Sequence, residues 1–199
     1  SGVVLIDGKD ILDFTSEAWH ANIAVLSQSP YLFSASVREN LRLACPAADD
    51  VIIMDALIRA GLASWMTTLD RGLDTWIGEH GLQLSAGERK RLACARITLQ
   101  GAPFVILDEP AAQLDAITER KLIDSLIELF SDRGVLLITH RLIRMDRMDE
   151  IIVLDRGQIR ERGKHAELIQ RGGLYHRLWQ LQNRLLVDLP EVQETNLLN

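Results

Sequence analysis

The sequence predicts an α/β fold: a mostly parallel sheet with flanking helices and a small helical subdomain. Three observations point there. From Ser85 onward, helix-period stretches (85–99 and 116–130) alternate with short apolar runs (104–108 and 135–139), and such alternation implies a parallel sheet covered on both faces. The run Phe104 to Leu107 leads into Asp108-Glu109, and Val135 to Ile138 leads into Thr139-His140. Polar residues at the carboxyl ends of buried strands mark the ligand edge of an open sheet. A chain of 199 residues, 47% hydrophobic and 25% charged, can bury one sizeable core, so one domain is expected.

Along the chain, Val3 to Asp7 reads as a strand, Gly8-Lys9 as a turn and Ser16 to Ala21 as a short helix. A second strand, Ile23 to Ser27, ends at Gln28. Ser36-Val37-Arg38-Glu39 is a capping-box pattern that starts a helix to about Ala44, and Asp49-Asp50 precede a helix that stops at Gly61. Residues 62–83, with Trp65 and Trp76, read as a small helical lobe. Ile151 to Leu154 and Gln158 to Arg162 form a hairpin across Arg156-Gly157, and an amphipathic helix runs from about Leu174 to Leu186 before a loose polar tail, 187–199.

Composition excludes several classes. A net charge of −6 argues against a basic surface built for nucleic acid. No apolar run reaches the roughly 20 residues of a membrane-spanning helix, and no secretory signal is visible. The two cysteines, Cys45 and Cys94, and the five histidines stand in no metal-type spacing. Reduced, core-filling thiols in a cytosolic setting are expected.

The chemistry concentrates in a few places. At Asp108-Glu109, strand alternation points adjacent carboxylates in different directions. Asp108 is expected to hold Mg²⁺ through its water shell and Glu109 to orient and polarise an attacking water; the alternative is a pair of solvated acids. Leu84-Ser85-Ala86-Gly87-Glu88 admits two readings. Ser85 with Glu88 is a capping box that needs no ligand, while Gly87 in the first turn suits backbone N–H groups that approach an anion. His140 and Gln28, taken singly, are polar residues beyond strands.

Together these stretches resemble the ABC ATPase family, from Val3 to about Leu186. Gln28 stands at the Q-loop position, Leu84 to Glu88 at the signature, Phe104 to Glu109 at the Walker B strand, Ala112-Gln113-Leu114-Asp115 at the D-loop and His140 at the switch histidine. The resemblance implies a P-loop NTPase-like sheet with a helical signature subdomain at about 36–100. It also implies a head-to-tail pair of such domains with ATP sandwiched between them. Ser85, Ala86, Gly87 and Glu88 would then face the γ-phosphate held by the partner. Gln28, with Asp108, would serve Mg²⁺ through water; Glu109 and His140 would serve hydrolysis; Asp115 would help join the halves.

Departures from the family pattern carry expectations too. Ala86 replaces the first signature glycine, Glu88 the usual glutamine, and Ala111 and Gln113 the commoner neighbours of the D-loop. These imply unequal ATP sites in a heterodimer. No stretch supplies the Walker A loop Gly-x-x-x-x-Gly-Lys-Ser/Thr, so an N-terminally truncated domain that binds ATP poorly on its own and exposes a sheet edge is expected.

The segment Ser29 to Leu41 and the loop Thr75 to Gly81 resemble the exporter type. Tyr31, Phe33 and Glu79 would then meet a transmembrane domain of the same polypeptide at the cytoplasmic face of the bacterial inner membrane. Phe33 and Trp76 can also be read as plain core residues. The stretch from Thr139 to Ile151 and Gly172 to Tyr175 is similar to the bacterial thiol exporters of cytochrome bd assembly, nearest their CydC-type half. Export of cysteine or glutathione is what that similarity implies, with a lipid, drug or peptide exporter, or a non-transport module, as the alternatives.

Overall fold

A computed structural model describes residues 3–6, 8–79, 81–112 and 114–187. Gln113, His80 and the tail beyond 187 lie outside the described residues. Two compact units divide after Thr139. The strands of the first unit are β1 (Leu5–Ile6), β2 (Lys9–Asp10), β3 (Ile23–Leu26), β4 (Ala35–Ser36), β5 (Trp76–Ile77), β6 (Phe104–Asp108) and β7 (Gly134–Ile138). Its helices are α1 (Ser16–Asn22), α2 (Val37–Arg42), α3 (Asp50–Arg59), α4 (Ala63–Met66), α5 (Ala86–Gln100) and α6 (Ala116–Leu129). In the second unit, β8 (Ile151–Asp155) pairs antiparallel with β9 (Gln158–Gly163), followed by α7 (His165–Arg171) and α8 (Leu174–Val187).

The centre of the first unit is a parallel sheet in the order β3-β6-β7. Leu26 pairs with Leu107, and Asp108 with Ile138, so the strands end side by side. The α/β reading with a parallel sheet and flanking helices holds. Coverage is less even than expected. Val105 and Leu107 of β6 are buried, whereas Val25, Val135, Leu136 and Ile138 are exposed, so β7 offers apolar side chains to solvent.

Helix boundaries follow local chemistry. Asp49 and Ser85 cap α3 and α5, and Ser36 caps α2 with Glu39 reaching back to close the box. Gly101, at φ +70°, ends α5 in the left-handed conformation that glycine adopts without cost. The core forms where Leu41 of α2, Ile53 and Leu57 of α3, and Leu92, Ala95 and Ile97 of α5 meet Ala24, Leu26 and Val105.

The segment 62–83 is only partly helical. After the single turn of α4, it enters a 3-10 turn at Gly72–Asp74 and then β5, which pairs with β4 through Ala35↔Ile77 and Ser36↔Trp76. This pairing explains the second tryptophan. Trp76 donates its indole N–H to Ser34 Oγ at 3.3 Å and stays 47% exposed, as does Phe33. Their reading as core residues is overturned.

Candidate active site

Parallel pairing brings Gln28, Asp108 and Glu109 to one end of the sheet. Gln28 lies two positions beyond β3, whose Leu26 is in register with Leu107, so it flanks the Asp108-Glu109 pair. Gln28 is exposed, and both carboxylate residues are half-buried. Asp108 and Gln28 offer hard oxygen donors, which fit a Mg²⁺ ion held by few protein ligands and by phosphates. Among the described residues no cluster of three or more His, Cys, Asp or Glu stands ready to hold a metal by itself.

Glu109 has an unusual backbone. It sits at φ +46°, a left-handed conformation that costs a non-glycine residue roughly 1–2 kcal/mol. Its N–H donates to Ile138 O at 2.9 Å, and its carbonyl accepts from Ala112 N at 3.1 Å. The chain thus leaves β6 in a tight turn at Glu109 that is pinned by both of these hydrogen bonds.

Asp115 ends this loop as the N-cap of α6, accepting from the N–H groups of Ile117 and Thr118 at 3.1 and 3.0 Å. The Thr118 hydrogen bonds hold its carboxyl below the usual range. The same carboxylate stays exposed and open to a further contact.

At the start of α5 the capping box is formed. The backbone N–H and Oγ of Ser85 both donate to Glu88 Oε2 at 2.8 Å, and Ser85 Oγ accepts from Glu88 N at 3.2 Å. Gly87 has nothing within 4 Å of where a Cβ would stand. The cap reading is thereby established locally, and the glycine serves no packing need among the described residues.

Farther along, Lys90 is 4% exposed, and its Nζ donates to Ala112 O at 2.5 Å. Sequence reasoning gave Lys90 no role, although helical spacing sets it in line with Cys94 and Ile97, both buried.

The aromatic surface forms around Tyr31, Phe33 and Trp76. Tyr31 and Phe33 meet edge to face, with ring centroids 4.9 Å apart, and Tyr31 is 71% exposed. The β4–β5 pairing brings the exposed Glu79 turn to the same strand pair. Gly78, at φ +105°, lets that turn press on Ser34, where a Cβ would stand 3.0 Å from Ser34 Cα.

His140 opens the second unit, two positions after β7, and is exposed. Its carbonyl accepts from Gln182 Nε2 at 2.7 Å, while Gln182 Oε1 accepts from Leu142 N at 2.8 Å. A glutamine of α8 therefore fixes the backbone that carries the histidine. In the same unit Tyr175 is buried and pairs with His165 at 2.7 Å. Burial pushes its hydroxyl up to about 12, with Asp146 adding to the shift.

An open parallel sheet with acidic residues at its carboxyl edge fits the α/β class that handles nucleotide phosphates. Residues 1–112 match the family described as ABC transporter, and the chain belongs to that family. It is 44% identical over 179 residues to the glutathione/L-cysteine transport system ATP-binding/permease protein CydC of Escherichia coli, across 90% of this chain and 31% of that protein. It is 40% identical over 185 residues to the ATP-dependent lipid A-core flippase of Haemophilus influenzae, across 91% and 31%. The structure of a bacterial Atm1-family ABC exporter with ATP bound superposes with a TM-score of 0.82 at 34% identity, over 92% of this chain and 32% of the other. The chain therefore spans about a third of the length of these relatives. Among its described residues no helix is long and apolar enough to cross a membrane.

Proposed function

We propose that this chain is the ATP-hydrolysing part of an ABC exporter half, working as one of two such domains that sandwich ATP between them. The observation that carries the reading is the strained turn at Glu109, φ +46°, at the carboxyl edge of the parallel sheet. Strain of this kind persists where surrounding structure over-determines it, and it collects at working sites. The Glu109 carboxylate accepts a hydrogen bond from the attacking water and polarises it. His140 holds that water and the γ-phosphate in line, a positioning and electrostatic role.

Asp108 and Gln28 would hold Mg²⁺ through its water shell, and the ion would neutralise charge on the phosphates. Ser85, Ala86 and Gly87 present the start of α5 to the nucleotide of the partner domain, with Glu88 beneath them. The exposed surface of Tyr31, Phe33 and Glu79 meets the transmembrane domain of the same polypeptide. The site then works at the cytoplasmic face of a bacterial inner membrane.

A thiol such as cysteine or glutathione is the substrate that similarity to the transport protein of Escherichia coli favours. A lipid is the competing substrate, favoured by similarity to the flippase. Inside-out vesicles carrying the complete transporter separate the two readings by ATP-dependent uptake of labelled glutathione. The hydrolytic reading is tested by Glu109→Gln in the same transporter. ATPase turnover is expected to fall by about 10²- to 10⁴-fold with ATP binding retained; undiminished turnover overturns it.

A further inference from the structure

We infer that Lys90 is a positioning residue for Glu109, clamping from α5 the turn that sets the carboxylate. This rests on the reading that Glu109 polarises the water, but it concerns a residue on another element. The argument begins with cost. An ammonium taken out of water carries a penalty of several kcal/mol unless it is compensated. Lys90 is 4% exposed, on the face of α5 that also buries Cys94 and Ile97. An apolar side chain would fill that position more cheaply.

What compensates Lys90 is the loop after β6. Its Nζ donates to the carbonyl of Ala112 at 2.5 Å. The N–H of that same Ala112 donates back to the carbonyl of Glu109 at 3.1 Å. Glu109, in turn, is tied through its own N–H to Ile138 of β7 at 2.9 Å. The turn is therefore fixed at its start by a strand and at its end by a buried cation. Both anchors act on the turn that holds a non-glycine residue at φ +46°.

The electrostatics agree. Burial lowers the pKa of Lys90, and the opposing influences are Cys94, then the carboxylates of Glu119 and Glu109. Glu119, 2% exposed in the first turn of α6, lies just beyond the same loop. Lys90 thus lies in the field of Glu109 while its Nζ is engaged by the Ala112 carbonyl. Its effect is to hold the geometry, and a displacement of about 1 Å in such a group can cost 10²-fold in rate.

The test uses the complete transporter with Lys90→Met, which keeps length and removes the donor. The expected result is a 10- to 100-fold fall in kcat, with KM for ATP changed less than about twofold and an unchanged melting temperature. Lys90→Arg, which retains a cationic donor, should recover most of the turnover. In a Glu109→Gln background, single-turnover hydrolysis should show no further loss on adding Lys90→Met, because both changes remove one function. Should Lys90→Met fail to accumulate as folded protein, Lys90→Gln is read for the same kcat-against-KM split.

Full kcat in Lys90→Met, a parallel loss of ATP affinity, or additive losses in the double variant would overturn the inference. Full turnover in Glu109→Gln alone overturns instead the hydrolytic reading on which it rests.

Discussion

Arg96 on α5 donates through Nη2 to the Oδ1 of Asn40 on α2 at 3.1 Å, and through Nη1 to the carbonyl of Tyr31 at the same distance. Asn40 is fully buried, and both polar atoms of its side chain are engaged. Its Oδ1 also accepts from Phe33 N, and its Nδ2 donates to the carbonyls of Phe33 and Ser36. One amide thus fastens the aromatic segment to the helix that begins at Ser85. Asn40→Ala would strand these partners in the interior and is expected to destabilise the domain by about 2–4 kcal/mol. Urea unfolding followed by tryptophan fluorescence reads this directly. A loss under about 0.5 kcal/mol would show that the clip is incidental to stability.

Gly87 separates folding from function. A Cβ there meets nothing within 4 Å, and glycine in a helix costs up to about 1 kcal/mol relative to alanine. Gly87→Ala should therefore leave stability unchanged or raise it slightly. If the start of α5 approaches a phosphate through its backbone, the added methyl obstructs that approach, and ATPase activity of the complete transporter should fall at least tenfold. Full activity with raised stability would mean that the capped helix is only a cap.

Ala86 and Glu88 bear on whether the two ATP sites of the proposed dimer would be equal. Glu88 accepts from both the N–H and the hydroxyl of Ser85, so its carboxylate stands at the start of α5, where the proposed dimer would bring the partner's nucleotide. A glutamine could accept the same hydrogen bonds without the charge. Glu88→Gln should keep the cap, changing stability by less than about 1 kcal/mol, and lower KM for ATP about two- to fivefold. Inequality itself is read by placing the Glu109→Gln change in each partner separately. Losses of different size support it, and matched losses oppose it.

The parts legible in the sequence are those with a long period or a chemical boundary. The apolar run ending in Asp108-Glu109 gave away β6, and Ser36 with Glu39 and Ser85 with Glu88 announced the starts of α2 and α5. Strands β4 and β5 escaped because each is two residues long, too short to show alternation, and their pairing links positions some 40 residues apart. α7 escaped because only Leu168 is buried on it, leaving no apolar stripe to read. Within the candidate site, the strain at Glu109 has no sequence signal, since glycine is the residue normally found at positive φ. Lys90 was hidden in Arg89-Lys90-Arg91, three adjacent basic residues whose sequence does not tell which is buried until the helix is built; in α5 Arg89 is exposed, Arg91 half-buried and Lys90 buried.

The cysteines give a last prediction that needs neither nucleotide nor partner. Cys94 is 2% exposed on α5, and burial pushes its thiol up to about 12 from an ordinary value of 9.0. The thiolate is the reactive form, so two barriers, access and ionisation, protect the same sulfur. Cys45 is half-buried after α2 and is reachable from solvent. At pH 8 a thiol reagent should therefore label one cysteine quickly, and the second only at the rate at which the domain opens. Adding urea should accelerate the slow phase alone. The same shift fixes a pH dependence: below about pH 9 both folded and unfolded chains keep the proton, and the stabilisation is fully present. As pH rises toward 12 the unfolded chain loses that proton while the folded chain retains it, so stability declines across this window. Cys94→Ala should flatten that alkaline decline, and equal labelling rates for both thiols in the native protein would refute the burial on which the prediction stands.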